Sequence, residues 1–371
     1  MRTFCLLFGL LFHLTWVGGQ GLGQKKLLRK IKKIPQFSNA YVGVYLEKLD
    51  SNKKPTTLNG AHYMTPASNT KLLTFLGSIE TFSKLPALEY ALDNDGQTHF
   101  KSTGYPLLFH PFYPDSALVR FFEDSPEWVY HPPTTQPKPL GSGWAWDDFN
   151  YYFAASSSAF PIYGNSTQGV FGDSEVKLVP HFTSIKDSTV RNLQRSRFSN
   201  QFNYNPKNLR SKDTLYRPFI PSDSLFVKLL GDAINSKVSF ASQKDSLVWT
   251  PFYTANETLL YKGLLQDSDN GIAEALLLMI ANEQKGIFKP EVAIDSLQKR
   301  WSSWLPDPLE WVDGSGVSRY NLATPRALVA VLRKIDQKLP WNTIQTLFPK
   351  SGVSGTLKAY PNLKDVYAKT G

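Results

Sequence analysis

One stretch constrains this chain more than any other: Met64-Thr65-Pro66-Ala67-Ser68-Asn69-Thr70-Lys71-Leu72-Leu73-Thr74. Pro66 and the small Ala67 suit the entry to a helix, and Leu72, Leu73, Phe75, Leu76 and Ile79 then recur at helical spacing. A helix this apolar belongs in a core. It takes a serine and a lysine in with it, three residues apart and on one face, about 5–6 Å apart at Cβ. A serine hydroxyl is a poor nucleophile at neutral pH and needs an adjacent base. A lysine serves as that base when burial or nearby cations lower its pKa. The backbone N–H groups of a helix start also point at any oxyanion formed beside Ser68. The alternative for Ser68 is a plain helix cap.

Ser-x-x-Lys alone is common, and three more matches occur. Ser51 to Lys54 lies in a Lys/Asn/Pro turn, Ser174 to Lys177 in the alternating Glu175-Val176-Lys177-Leu178-Val179, and Ser296 to Lys299 on a charged helix. All three read as solvated surface, whereas Ser68 alone combines a helix start, a small-residue approach and an apolar helix behind it. Two later stretches strengthen the choice. Ser268-Asp269-Asn270 introduces the apolar segment Ile272–Ile280, and Val366-Tyr367-Ala368 is a strand-like run leading into Lys369-Thr370-Gly371. Lys350-Ser351-Gly352 competes for the last position, but Pro349 disfavours a central strand there.

The order Ser-x-x-Lys, Ser-x-Asn, Lys-Thr-Gly resembles the motif set of penicillin-binding proteins and serine β-lactamases. It is most similar to the penicillin-binding protein 4 type of D-alanyl-D-alanine carboxypeptidase/endopeptidase, serine peptidase family S13. Pro66–Leu72 resembles that family's nucleophile segment, and Ser268-Asp269-Asn270 followed by Ala273-Glu274 its second motif. Asp313–Leu322 followed by Pro325, and Gly352–Leu357, resemble two further family stretches, and Trp144-Ala145-Trp146-Asp147-Asp148 one inside its inserted domains. The resemblance implies an α/β (α+β) penicillin-binding/β-lactamase-like transpeptidase fold: an antiparallel sheet flanked by helices, with inserted β-rich domains.

It also implies roles. Ser68 would attack the carbonyl of the penultimate D-alanine, Lys71 take its proton, and Ser268 with Lys71 relay it to the departing amine. Asn270 would hold the substrate's peptide carbonyl, while Lys369, Thr370 and Gly371 would bind the terminal carboxylate, a charge-assisted contact. Asp148 would pair with the amine of the stem peptide's diamino acid; the bland reading is two tryptophans, Trp144 and Trp146, packing between domains. The expected partners are peptidoglycan stem peptides and, as acylating inhibitors, β-lactam antibiotics, with no cofactor and no metal. One departure stands out: the chain stops at Gly371, inside the motif, where the family's strand continues and the next residue donates the second oxyanion N–H. The expectation is therefore a fragment of a longer product, to which the activity belongs.

The 371 residues, with 42% hydrophobic residues and a formal net charge of +10, describe a globular protein of more than one domain. Arg2, the apolar run Phe4–Val17 and the small residues Gly18, Gly19 and Gly21 read as a secretory signal peptide over 1–22, too short in its apolar part for a membrane span. Cys5, the one cysteine, falls inside it, so the mature chain has no disulfide and no lipid anchor, and the expected location is the periplasm. Lys25, Lys26, Arg29, Lys30, Lys32 and Lys33 with Leu27, Leu28 and Ile31 predict a basic amphipathic helix, a solvated face or a contact to anionic envelope polymers. Tyr41–Leu46 and a strand ending near Tyr63 predict a hairpin.

The roughly 200 residues between Lys71 and Ser268 are too many for a loop in a compact domain, so they hold structure of their own. Short β-like runs such as Tyr105–Phe109 and Phe171–Val179 dominate there, with a proline-rich loop over His131–Pro139 and a helix capped at Pro221-Ser222-Asp223-Ser224. The domain reading is a catalytic domain in two parts, 23–84 and 249–371, around an insertion at 85–248. Helices are expected around Ala273–Ala281, Val292–Trp304 and Pro325–Leu332, and Asp313-Gly314-Ser315-Gly316 is a Gly-rich turn without the setting of a nucleotide motif.

Two other functions use much of the same sequence. A serine β-lactamase shares the three motifs, though not the long insertion, and a non-catalytic peptidoglycan- or penicillin-binding protein fits the truncated end. A zinc peptidase finds no ligand spacing among His62, His99, His110, His131 and His181, and an α/β-hydrolase finds no Gly-x-Ser-x-Gly. Nucleic-acid binding would rest on the positive charge alone, and the oligomeric state is not encoded in any of these features.

Overall fold

In a computed structural model of the protein, the described residues are 24–37, 39–172, 175–241 and 247–371. The leader expected over 1–22, Cys5 with it, and the Ser174 end of one Ser-x-x-Lys match lie outside them. Among the described residues no helix is long and apolar enough to cross a membrane. The chain divides into two compact units: one runs through Ile79, Tyr261–Ser268 and Ile294–Gly371, the other covers Glu80–Leu260 and Asp269–Ala293.

The first unit opens with the basic helix Gln24–Lys32. The hairpin follows, shorter than its apolar pattern: Val44–Leu46 pairs antiparallel with Thr56–Leu58, Tyr45 opposite Thr57. A 3-10 turn, Ala67–Thr70, then feeds the helix Lys71–Thr81, whose residues from Lys71 to Ser78 are all buried, as an apolar sequence around the whole circumference requires. Phe75 packs edge-on against Tyr261 and Phe348, and Trp301 stacks flat on Trp311. The helix Pro325–Lys338 starts as its sequence dictates: Pro325 holds the first position and the Thr324 hydroxyl accepts from the Ala327 N–H.

The strand expected at Val366–Ala368 is reduced to a single bridge between Tyr367 and Lys350. Ser351 N–H donates to Val366 C=O and Ala368 N–H to Pro349 C=O. Pro349 has no N–H to return, so the ladder stops there. Lys350-Ser351-Gly352 is thus the pairing neighbour of the Lys369 run and not its rival.

The second unit holds most of the strands. A five-stranded mixed sheet has the order Lys237–Phe240, Glu127–His131, Thr98–Ser102, Pro86–Leu92, Thr250–Tyr253. Its core gathers around Phe100, which meets Phe122, Trp128, Tyr130, Phe160 and Phe226. Two three-stranded sheets complete the β-rich part, one of them carrying the hairpin Ser166–Phe171 with Val176–Val179. Tyr105–Phe109, expected as β-like, makes no strand, and only Leu108 forms a bridge, to Ile162. The helix Asp223–Ile234 begins at the expected cap, with Ser222 Oγ accepting from the Leu225 N–H. The wholly apolar middle of the helix Asn270–Lys285 is buried from Ile272 through Ala281.

Candidate active site

The site builds up from the turn at Ala67–Thr70. Lys71 Nζ lies 3.1 Å from Ser68 Oγ, as the three-residue spacing requires. The lysine is fully buried, and its amine also donates to the Ser315 carbonyl at 2.7 Å. That second contact fixes the amine beside the serine hydroxyl, where a proton acceptor for the hydroxyl is needed.

The Gly-rich turn at Asp313–Gly316 is therefore part of the site through its backbone. Gly314 C=O accepts from Thr74 Oγ1 at 2.8 Å, one turn further along the same helix. The buried Asp313 carboxylate fixes the turn by accepting from the N–H groups of Gly316 and Ser318 and from Asn321 Nδ2. Gly316 has φ +83°, and a Cβ there would stand 1.8 Å from the Ala67 carbonyl oxygen. No other residue fits, because the turn bears directly on the backbone preceding Ser68. Ala67 itself takes a left-handed φ of +46°, local strain held by this packing.

The third motif closes on the first. Lys369, 3% exposed, donates from Nζ to Ser268 Oγ at 2.9 Å and to the Thr370 carbonyl at 2.6 Å. Burial, and secondly the charge of Lys71, push the Lys369 amine well below the ordinary lysine range. Thr370 Oγ1 donates to Thr356 Oγ1 at 2.8 Å. A Cβ on Gly371 would meet Asn69 Nδ2 at 2.4 Å and the Pro66 carbonyl at 2.6 Å, so the end of the Lys-Thr-Gly run lies against the turn that carries Ser68. Ser68, Lys71, Ser268, Lys369, Thr370 and Gly371 are thus tied together within one unit.

Asn270 and Asp148 belong to the other unit. Asn270 Nδ2 donates to the Phe153 carbonyl at 2.8 Å. Asp148 sits half-buried on the short 3-10 turn Trp146–Asn150. Trp146 is 61% exposed with the Arg197 guanidinium over its ring, so it packs no core. Of the rejected serine matches, Lys54 and Lys299 are exposed at the surface. Sequence reasoning missed the acceptors on the Gly-rich turn, which have no side-chain signature, and it missed Tyr152 and His110. Both of those touch Asp269 inside the second motif. Among the described residues no group of three or more His, Cys, Asp and Glu is placed to hold a metal ion.

A serine with a buried lysine amine 3.1 Å away, one turn further along the chain, is the arrangement that the Ser-x-x-Lys spacing predicts. Residues 256–371 match the D-Ala-D-Ala carboxypeptidase 3 (S13) family. The chain is similar to the D-alanyl-D-alanine carboxypeptidase DacB of Haemophilus influenzae, 30% identical over 122 residues; the match covers 30% of this chain and 25% of the relative, a quarter of its length. Its fold is similar to the crystal structure of penicillin binding protein 4 (dacB) from Haemophilus influenzae, with TM-score 0.62 at 21% identity, over 85% of this chain and 81% of that one. A second structure of that protein, complexed with a β-lactam, gives TM-score 0.59 at 20% identity, over 84% and 79%. The α/β penicillin-binding fold expected from the sequence is the one observed, and residues 256–371 carry the match to the S13 family.

Proposed function

We propose that the protein is a serine-type D-Ala-D-Ala carboxypeptidase/endopeptidase of the periplasm, acting on peptidoglycan stem peptides and their cross-links and acylated by β-lactams. The observation that carries the reading is the Ser68–Lys71 pair, 3.1 Å apart on a buried helix and braced by the Ser315 carbonyl. In the proposed reaction Ser68 Oγ adds to the carbonyl carbon of the penultimate D-alanine while its proton passes to Lys71 Nζ. The negative oxygen of the tetrahedral intermediate is met by the Ser68 backbone N–H. Collapse breaks the C–N bond, and the proton returns through Lys71 and Ser268 to the departing amine. Water then enters by the same route and releases the acyl group from Ser68.

Lys369 and Thr370 bind the terminal carboxylate in this reading, and Asn270 the peptide carbonyl. The arriving carboxylate restores to Lys369 the charge that burial disfavours, which couples binding of the correct chain end to the state of the site. Asp148 meets the diamino-acid side chain. The leader expected at residues 1–22 delivers the protein to the envelope, where these substrates are.

The test is labelling with fluorescent penicillin, paired with release of D-alanine from a D-alanyl-D-alanine pentapeptide. The wild type should be labelled covalently and release D-alanine, and Ser68→Ala should do neither. Labelling that survives Ser68→Ala would overturn the nucleophile, and labelling without D-alanine release would leave a penicillin-binding protein that is not a peptidase.

A further inference from the structure

The geometry points to Tyr152 as a positioning residue that, through Asp269 and the adjoining Phe153 carbonyl, sets the orientation of the Asn270 carboxamide. This rests on the proposed function, in which Asn270 holds the substrate's acyl carbonyl.

Five groups of one unit make the case. The Tyr152 hydroxyl donates to Asp269 Oδ2 at 2.7 Å, the other oxygen of the same carboxylate accepts from the Ile272 N–H at 2.9 Å, and that bond caps the helix Asn270–Lys285. One carboxylate is thus held from both sides, and it sits immediately before Asn270 in the chain. The next residue after Tyr152, Phe153, accepts from Asn270 Nδ2 at 2.8 Å. The amide is thereby told which end is nitrogen, since an NH2 and a carbonyl oxygen cannot both face an acceptor.

His110 completes the chain behind Tyr152. Its Nδ1 accepts from the N–H groups of Phe112 and Tyr113, so the ring proton sits on Nε2, 3.3 Å from the Tyr152 hydroxyl. In the sequence His110 Nε2–H to Tyr152 O–H to Asp269 Oδ2 the two ends are buried, His110 2% and Asp269 7% exposed, and Tyr152 between them is half-buried. Burial, and secondly the charge of Asp269, push the tyrosine hydroxyl far above its ordinary range, so it stays a donor at any working pH. Ser268, just ahead, has a left-handed φ of +61°, a conformation that a serine holds only when the backbone after it is pinned. Nothing in the proposed reaction uses Tyr152 or His110 directly, and both spend buried polar groups on this one loop.

The experiment removes the hydroxyl and keeps the ring, which packs edge-on against Phe112. Acylation rate constants are measured for wild type, Tyr152→Phe and Asp269→Asn with two β-lactams: benzylpenicillin, and a penicillin nucleus lacking the acylamino side chain. Only the first offers Asn270 a carbonyl. In Tyr152→Phe, benzylpenicillin acylation should slow about tenfold, the scale of one lost hydrogen bond to a carboxylate, while the stripped nucleus reacts within about twofold of wild type. Asp269→Asn, which keeps the cap but weakens the tyrosine contact, should move the same way by less. Equal slowing of both β-lactams would mark a general structural role and overturn the proposal. Unchanged benzylpenicillin acylation in Tyr152→Phe would also overturn it. A wild type that is never acylated at Ser68 would remove the proposed function and this inference together, a result distinguishable from the other two.

Discussion

Gly316→Ala offers a test of the site's rigidity in which the structure supplies the magnitude. The added Cβ would stand 1.8 Å from the Ala67 carbonyl oxygen, against an ordinary contact of 3.4 Å or more, so the turn would have to give way by roughly 1.6 Å. What must yield is the residue before Ser68, and Ser68 Oγ now sits 3.1 Å from its base. A displacement even part of that size takes the pair out of hydrogen-bond range, and a misplacement of about 1 Å at a reacting group can cost on the order of 10² in rate. Stability should fall as well, by roughly 1–3 kcal/mol for overpacking and roughly 1–2 kcal/mol for a left-handed alanine. The two effects are separated by Gly286→Ala: its φ is +67°, yet nothing lies within 4 Å of the new Cβ, so it should lose only the smaller stability increment and keep full acylation. The assay is the rate of covalent labelling by fluorescent penicillin, with denaturant unfolding of each variant. Wild-type labelling by Gly316→Ala, or equal loss in both variants, would show that the Gly-rich turn does not brace the nucleophile.

Other expectations follow from the same geometry. Lys71→Met, similar in length and free of the amine, should lower the acylation rate by on the order of 10²–10⁴, the usual share of a general base, with folding retained. Lys369→Met should weaken acylation yet leave the protein as stable or more stable at neutral pH. The reason is that a buried amine held well below its ordinary range costs stability wherever the unfolded chain would still be protonated, and thermal melts read this directly. His110 and His131 are both pushed below the ordinary histidine value of 6.5 by burial, His131 further by His99 and Lys101. The unfolded state then binds protons first, so unfolding free energy should be level above pH 6.5 and fall as the pH drops below it; His110→Gln should flatten part of that slope in a denaturant series across pH. Asp307, whose carboxyl is held low chiefly by hydrogen bonding from Arg326, should add a second loss at lower pH, below the ordinary aspartate value of 3.8, absent in Asp307→Asn.

Which parts of this site the sequence discloses depends on how local the physics is. Ser68 and Lys71 are legible because a helix fixes the three-residue geometry by itself, and the apolar face behind them declares the burial. The length between the motif groups calls for a folded unit there, and Glu80–Leu260 do fall in a compact unit, which Asp269–Ala293, read from the sequence as catalytic domain, joins. The caps at Thr324 and Ser222 are short-range chemistry and fall where their residues say. The failures share a different character. The strand at Val366–Ala368 has the right composition, but its length is decided by Pro349 on the partner segment, 17 residues earlier. The acceptors for Lys71 and Thr74 are main-chain carbonyls of Ser315 and Gly314, which any residue could supply, so only the fold tells that they are used.

His110 is the instructive case. As one of several scattered histidines it carries no metal spacing, and a search for ligands passes over it. Its role becomes visible only when Tyr152 and Asp269, 117 residues apart, are found sharing a hydrogen bond. In the sequence Asp269 is one residue of a stretch that introduces an apolar helix, and the structure makes it that helix's cap, Oδ1 accepting from Ile272. The second oxygen of a capping carboxylate is the part that sequence cannot place. A buried carboxylate left with an unused lone pair costs free energy, so a second donor is required by the burial itself. The same reasoning applies to any buried cap inside a catalytic motif: the donor to its outer oxygen is where positioning residues of the site are to be sought.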